Sequence, residues 1–132
     1  MLTNRIVPPP GSVLIIENDN TLRGALVELL EFSHVPCLDT PSGCEGIDLF
    51  VHHQDHIDLV IMDMGLSDTN GSLILQELEA IRPGVKVIII SGQEKKRLDH
   101  QFEAYPNVSV VQKPFNTLGF LDAVSNYLAP FS

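Results

Sequence analysis

Short apolar runs alternate with stretches of helical periodicity along most of the chain. The run VLII (13–16) is continuous and β-branched, the pattern of a strand buried on both faces. The polar turn ENDN (17–20) follows, with Asp19 or Asn20 placed to cap a helix. Leu22, Ala25, Leu26, Leu29 and Leu30 then form one apolar stripe at helical spacing. VPCLD (35–39) predicts a weak strand, and SGCEGIDLFVHH (42–53) a helix that two glycines weaken. IDLVIMD (57–63) is a strong strand, NGSLILQELEAIRPG (70–84) reads as turn, helix and Pro-Gly stop, and VKVIIIS (85–91) is another apolar strand. EKKRLDHQFEA (94–104) predicts a charged, weakly periodic helix and VSVVQ (108–112) a strand. Leu118, Leu121, Val124 and Leu128 mark the stripe of a last helix.

Five strand–helix units in this order imply an α/β domain, a parallel sheet covered on both faces with right-handed crossovers. Ligands of such sheets bind beyond the carboxyl ends of the strands, so the residues there carry the chemistry. They are Glu17, Asn18 and Asp19 after the first strand, Asp63 after the third, Ser91 after the fourth and Lys113 after the fifth. Asp39 and Thr40 end the second strand and are set aside as belonging to an outer one. Converging carboxylates repel unless a divalent cation joins them, and oxygen-only ligation by few protein groups suits Mg²⁺. A carboxylate beside Mg²⁺ and an ammonium group is equipped to attack phosphorus.

Composition narrows the partners. The 8 Lys+Arg against 17 Asp+Glu give a formal net charge of −9, which argues against a nucleic-acid binder. An apolar fraction of 44% excludes a disordered chain. Cys37 and Cys44 are too few for a disulfide scaffold and read as free buried thiols of a reducing compartment. No apolar run is long enough to span a bilayer, and residues 1–12, with three consecutive prolines at Pro8 to Pro10, read as a flexible tail without the apolar core of a signal peptide. The expected location is cytoplasmic, with no membrane contact.

In ENDNTLR (17–23), LVIMDMGLSDTNG (59–71), IIISG (88–92) and VVQKPF (110–115) the chain resembles the receiver domain of two-component response regulators. The resemblance covers residues 13–129 and leaves 130–132 as a C-terminal tail. It implies a flavodoxin-like (βα)5 sandwich whose parallel strands run in the order 2-1-3-4-5. It makes Asp63 the phosphoacceptor, Ser91 the switch hydroxyl and Lys113 the phosphate-pairing lysine, with Glu17, Asn18, Asp63 and the Gly65 carbonyl as ligands of a Mg²⁺ cofactor. The Lys113–Pro114 peptide bond is usually cis in the family. The implied partners are a sensor histidine kinase or a histidine phosphotransfer protein. A homodimer is an option through the face made by the fourth helix (94–104), fifth strand (108–112) and last helix, the face that changes partners on phosphorylation.

Three positions depart from the family pattern. Asn18 stands where an aspartate ligates the metal, Val110 where a switch aromatic lies three residues before the lysine, and Ser67 where a proline is usual. The first two motivate an alternative, a pseudo-receiver that binds partners without being phosphorylated. A small phosphatase of the haloacid-dehalogenase type also uses a strand-end aspartate, but needs a second aspartate two residues later, where Gly65 stands. No turnover is expected beyond self-phosphorylation and self-dephosphorylation. His52, His53 and His56 read as a solvated helix end and its loop rather than a zinc site. Lys95, Lys96 and Arg97 read as a solvated face, with docking of an acidic partner as its alternative.

Overall fold

The computed structural model describes residues 7–66 and 68–128, so residues 1–6, Ser67 and the C-terminal residues 129–132 lie outside the described residues. Five parallel strands form one sheet: β1 (Ser12–Ile16), β2 (Cys37–Thr40), β3 (Ile57–Asp63), β4 (Val87–Ser91) and β5 (Val108–Gln112). Their spatial order is β2-β1-β3-β4-β5, the 2-1-3-4-5 order of the flavodoxin-like fold. The connecting helices are α1 (Asn20–Phe32), α2 (Gly43–His53), α3 (Gly71–Ile81), α4 (Lys95–Gln101) and α5 (Thr117–Leu128).

The period-2 alternation of the central strands divides the core into two layers. Leu14, Ile16, Val60, Met62, Val87 and Ile89 face Phe50, Leu75, Leu78 and Leu98 of α2, α3 and α4. Val13, Ile15, Leu59, Ile61, Ile88 and Ile90 face Leu26 and Leu30 of α1 and Phe120 and Val124 of α5. At about 1.5–3 kcal/mol per fully buried aliphatic or aromatic side chain, these two layers supply most of the favourable free energy.

The structure corrects several sequence-based boundaries. The second strand starts at Cys37 rather than Val35, because Pro36 has no N–H to give the ladder and only its carbonyl accepts, from Val13 N at 2.9 Å. The first helix starts at Asn20, two residues before its apolar stripe, because Asp19 caps it by accepting from the N–H groups of Thr21 and Leu22. In that stripe Ala25 is exposed, while Leu26 and Leu30 are buried. The charged helix ends at Gln101 rather than Ala104, where Phe102 turns into the core beside Leu98. His56 lies in a 3-10 turn (Gln54–His56) rather than an open loop.

On α5 the core position belongs to Phe120, stacked on Phe115 at 5.5 Å between ring centroids, and Leu118 is 74% exposed. Of the stripe read there, Val124 is buried and Leu121 and Leu128 pack against the same layer, while Leu118 gives way to the larger ring at 120, which with Val124 one turn on fills the space over β3 and β4. The two cysteines are free but not buried: Cys37 is half-buried on the outer strand and Cys44 is exposed on the first turn of α2. At the N-terminal end Pro8 is buried and the Ser12 hydroxyl donates to the Pro9 carbonyl at 2.6 Å, drawing the segment onto the domain.

Candidate functional site at the carboxyl end of the sheet

Parallel register brings the strand ends together. Asp63 closes β3 opposite Ile90, so Ser91 lies one residue beyond it on the neighbouring strand. Ser91 in turn pairs with Gln112, and Lys113 follows. The Lys113 N–H donates to the Ser91 carbonyl at 2.7 Å, which fixes the backbone from which the lysine side chain returns across β4. Its Nζ stands 3.3 Å from Asp63 Oδ2. The other carboxylate oxygen, Oδ1, accepts from the Gly65 N–H at 3.0 Å. Asp63 is only 8% exposed, so these contacts act on a largely desolvated carboxylate. The Ser91 hydroxyl oxygen, on the neighbouring strand end, accepts from Gln93 N at 3.0 Å. The Lys113–Pro114 peptide bond is cis.

Glu17 continues β1 into this pocket and is 1% exposed. One of its oxygens accepts from the Asp19 N–H at 3.0 Å; the other, Oε1, is buried with no donor facing it. Burial first, and then the neighbouring Asp63 carboxylate, push the Glu17 carboxyl up to about 7, against relief from the Asp19 N–H and from Lys113. Asn18 sits half-buried beside it. Asp19 turns away as the α1 cap.

The donor chemistry fits a hard divalent ion. A buried, unpartnered carboxylate oxygen beside a second carboxylate is costly without a cation, and the amide oxygen of Asn18 and the carbonyl of Gly65 are further oxygen donors. Among the described residues no group of three or more His, Cys, Asp or Glu is arranged to hold a metal ion. Two carboxylates with further oxygen donors beside them are enough for an ion that keeps several of its waters. The histidines lie elsewhere, His52 with Nδ1 2.8 Å from the Asp48 carbonyl on α2.

Sequence reasoning passed over two charged residues that bind backbone groups near the carboxyl end of the sheet. Arg23 of α1 spans from Glu17 to the outer strand: its guanidinium donates to the Glu17 carbonyl at 2.8 Å, to Asp39 Oδ2 at 3.0 Å and to Asn20 Oδ1 at 2.8 Å. It lies four residues after the Asp19 cap and within the ENDNTLR stretch, which was the available signal. Asp68, in the β3–α3 loop, accepts from three groups at the start of α2. Nothing local to its neighbours in sequence announces those contacts.

Five parallel strands with this order, and a strand-end acid–lysine pocket, define a receiver-type α/β module. A sequence profile of the response regulator receiver domain matches residues 13–125, and the chain belongs to that family of two-component signalling domains. The polar-differentiation response regulator DivK of Brucella abortus is 28% identical over 124 residues, which cover 89% of this chain and 95% of that protein. The sensor kinase CckA of Brucella abortus is 24% identical over 106 residues, 80% of this chain but 11% of the kinase. A response regulator receiver domain from Clostridium thermocellum superposes with a TM-score of 0.83 at 26% identity, covering 90% of this chain and 94% of that one. The receiver domain of a CckA hybrid histidine kinase shares the fold, with a TM-score of 0.76 at 21% identity over 89% of this chain and 99% of that one. Among the described residues no helix is long and apolar enough to cross a membrane.

Proposed function

We propose that this receiver accepts a phosphoryl group on Asp63, with Mg²⁺ as its cofactor, from a sensor histidine kinase or a histidine phosphotransfer protein in the cytoplasm. The observation that carries this reading is the buried Asp63 carboxylate, held between the Gly65 N–H and Lys113 Nζ beside the unpartnered oxygen of Glu17. The Gly65 bond orients one oxygen, leaving the other with Lys113. As an Asp63 oxygen forms its bond to phosphorus, the phosphorus–nitrogen bond of the donor breaks and the electron pair leaves with the donor imidazole. Lys113 then pairs with phosphoryl oxygens in place of the carboxylate, and the Ser91 hydroxyl donates to another. Glu17, Asn18, Asp63 and the Gly65 carbonyl would hold Mg²⁺, which when bound would supply charge that offsets the phosphoryl oxygens.

The likeness to DivK and to the CckA receiver supports kinase partnering of this kind. The output surface is the α4–β5–α5 face, through which two copies of the domain pair or a downstream partner docks. Lys96 and Arg97, exposed on α4, suit an acidic partner there. Turnover is limited to self-phosphorylation and slow self-dephosphorylation. Asn18 and Val110 favour a second reading, a pseudo-receiver that binds partners unmodified. The amide at 18 brings no charge to the metal, and the valine, 3% exposed and packed in the layer of Leu98 and Phe102, has no ring to swing.

The test is the intact mass of the protein after incubation with Mg²⁺ and acetyl phosphate, beside Asp63→Asn. Gain of one phosphoryl group by the wild type alone is the expected result. Uptake by Asp63→Asn overturns the site, and no uptake by the wild type at high Mg²⁺ selects the pseudo-receiver.

A further inference from the structure

We propose that Asp68 is a positioning residue for the chemistry at Asp63. Its carboxylate clamps the loop between β3 and α3 onto the start of α2, and thereby fixes Gly65 and the Asp63 oxygen that Gly65 binds. The inference rests on reading Asp63 as the phosphoacceptor.

Asp68 Oδ1 accepts from the Gly43 N–H at 3.0 Å, and Oδ2 accepts from the Cys44 N–H and the Ser42 hydroxyl, each at 3.0 Å. These bonds join segments 24 to 26 residues apart, so they tie two loops rather than shape one. The helix does not need Asp68 for a cap of its own, since the Ser42 hydroxyl oxygen already accepts from Glu45 N at 3.1 Å. That cap leaves the first N–H groups of α2 without an intrahelical partner, and Asp68 takes two of them from outside. The N–H groups of Cys44 and Gly43 hold its carboxyl well below the usual carboxylate range, so it stays ionised at any working pH.

A second, independent feature shows that the loop is seated directly on α2. A Cβ on Gly43 would lie 2.6 Å from Thr69 Cγ2, 3.1 Å from Ile74 Cδ1 and 3.2 Å from Leu66 Cδ1, so the loop side chains would have to shift to admit any larger residue. The base of the loop is closed as well: the Gly71 N–H donates to the Met64 carbonyl at 3.0 Å, and a Cβ on Gly71 would meet Met64 Cα at 2.9 Å. Gly65 sits between the closed base and the clamped tip, donating to Asp63 Oδ1 at 3.0 Å. Releasing the tip removes one restraint on the loop that carries Gly65, leaving the buried Leu66 as the other, and small misplacements of reacting groups are expensive in rate.

Cys44 supplies a readout separate from the chemistry. Its exposed thiol is pushed up by its hydrogen bond to Asp68 and by the charge there, so it reacts faster once Asp68 is removed. The experiment compares Asp68→Ala and Asp68→Asn with the parent in a Cys37→Ser background. It measures Cys44 labelling by a maleimide, Mg²⁺ affinity by calorimetry and the rate of phosphorylation by acetyl phosphate. Urea unfolding identifies which variants are folded, and Asp68→Asn carries the comparison if the alanine variant is not.

Faster Cys44 labelling, several-fold weaker Mg²⁺ binding and a phosphorylation rate lowered by about 10- to 100-fold are expected for Asp68→Ala. Asp68→Asn keeps the acceptor for Gly43 but loses the one for Cys44, and falls between. A folded variant with accelerated labelling but wild-type Mg²⁺ affinity and rate overturns the clamp while leaving Asp63 as phosphoacceptor. A wild type that takes up no phosphoryl group defeats the phosphoacceptor reading instead. Mg²⁺ affinity then decides on the clamp, and equality between wild type and variant overturns it.

Discussion

Replacing Glu17 by glutamine separates the electrostatic cost of the pocket from its packing. Glu17 is 1% exposed, has one oxygen without a donor, and faces the Asp63 carboxylate. Its carboxyl, ordinarily at 4.5, is pushed up to about 7. The folded metal-free protein therefore binds a proton that the unfolded chain releases between pH 4.5 and 7. Stability is highest below the unfolded value and is lost as pH rises through the folded one, because the native state binds more protons across that window. At about 1.4 kcal/mol per tenfold change in proton affinity, the full displacement is worth about 3 kcal/mol. Part of this cost is shared with the groups packed around Glu17, so the figure is a ceiling for Glu17 alone. The Glu17→Gln side chain carries no titrating proton and should be free of this loss.

The assay is urea unfolding in EDTA, followed by far-UV circular dichroism, of wild type and Glu17→Gln between pH 5 and 8. The difference between the two curves cancels the histidines they share. Asp68, whose carboxyl is depressed, contributes stability that is already complete above its unfolded value near pH 4, outside the window. Relative to the variant, the wild type should lose about 2–3 kcal/mol from pH 5 to pH 8. A difference that stays flat, or rises with pH, would refute the account of Glu17 as a strained acid.

Asn18→Asp should tighten Mg²⁺ binding at pH 8 by about tenfold or more, since ligand charge count tunes affinity for hard cations; calorimetry of the two proteins checks it. Two helix glycines should respond in opposite directions to alanine. Gly24→Ala, with nothing within 4 Å of the added Cβ, should gain about 0.5–1 kcal/mol of unfolding free energy. Gly46→Ala should lose about 1–3 kcal/mol, because its Cβ would lie 2.5 Å from Ile16 Cδ1 and 2.8 Å from Cγ1 in the packed core. Urea midpoints of both variants decide the pair.

The same contrast explains what was legible in the fold. Ile57–Asp63 and Val108–Gln112 have the bounds read from the sequence, because a buried parallel strand announces itself by a continuous apolar run. The helix over 42–53 looked weak because Gly43 and Gly46 carry a propensity cost. The compensating contacts, Thr69 against one and Ile16 against the other, are tertiary and leave no local trace. On α5 one position was misread for a related reason, Leu118 standing in the reading for Phe120. Leu118 and Phe120 both have partners at helical spacing, and the choice is made by Phe115 and the inner face of β3 and β4.

The site divides along the same physical line. Topology alone brings strand ends to one side of a parallel sheet, so Glu17, Asp63, Ser91 and Lys113 could be collected from the sequence without knowing any contact between them. What topology does not encode is how a pocket of buried acids is held against its own repulsion. The repulsion is relieved by Lys113 and the Asp19 N–H, while Arg23, which binds the Glu17 carbonyl and the set-aside Asp39, and Asp68, which reaches back to the start of α2, tie down the backbone around them. Both use charged side chains that look solvated in the sequence, and both act on backbone groups, which every residue offers and no motif marks. Positions of reacting groups follow from the order of elements; the restraints that fix their distances follow only from the packed structure.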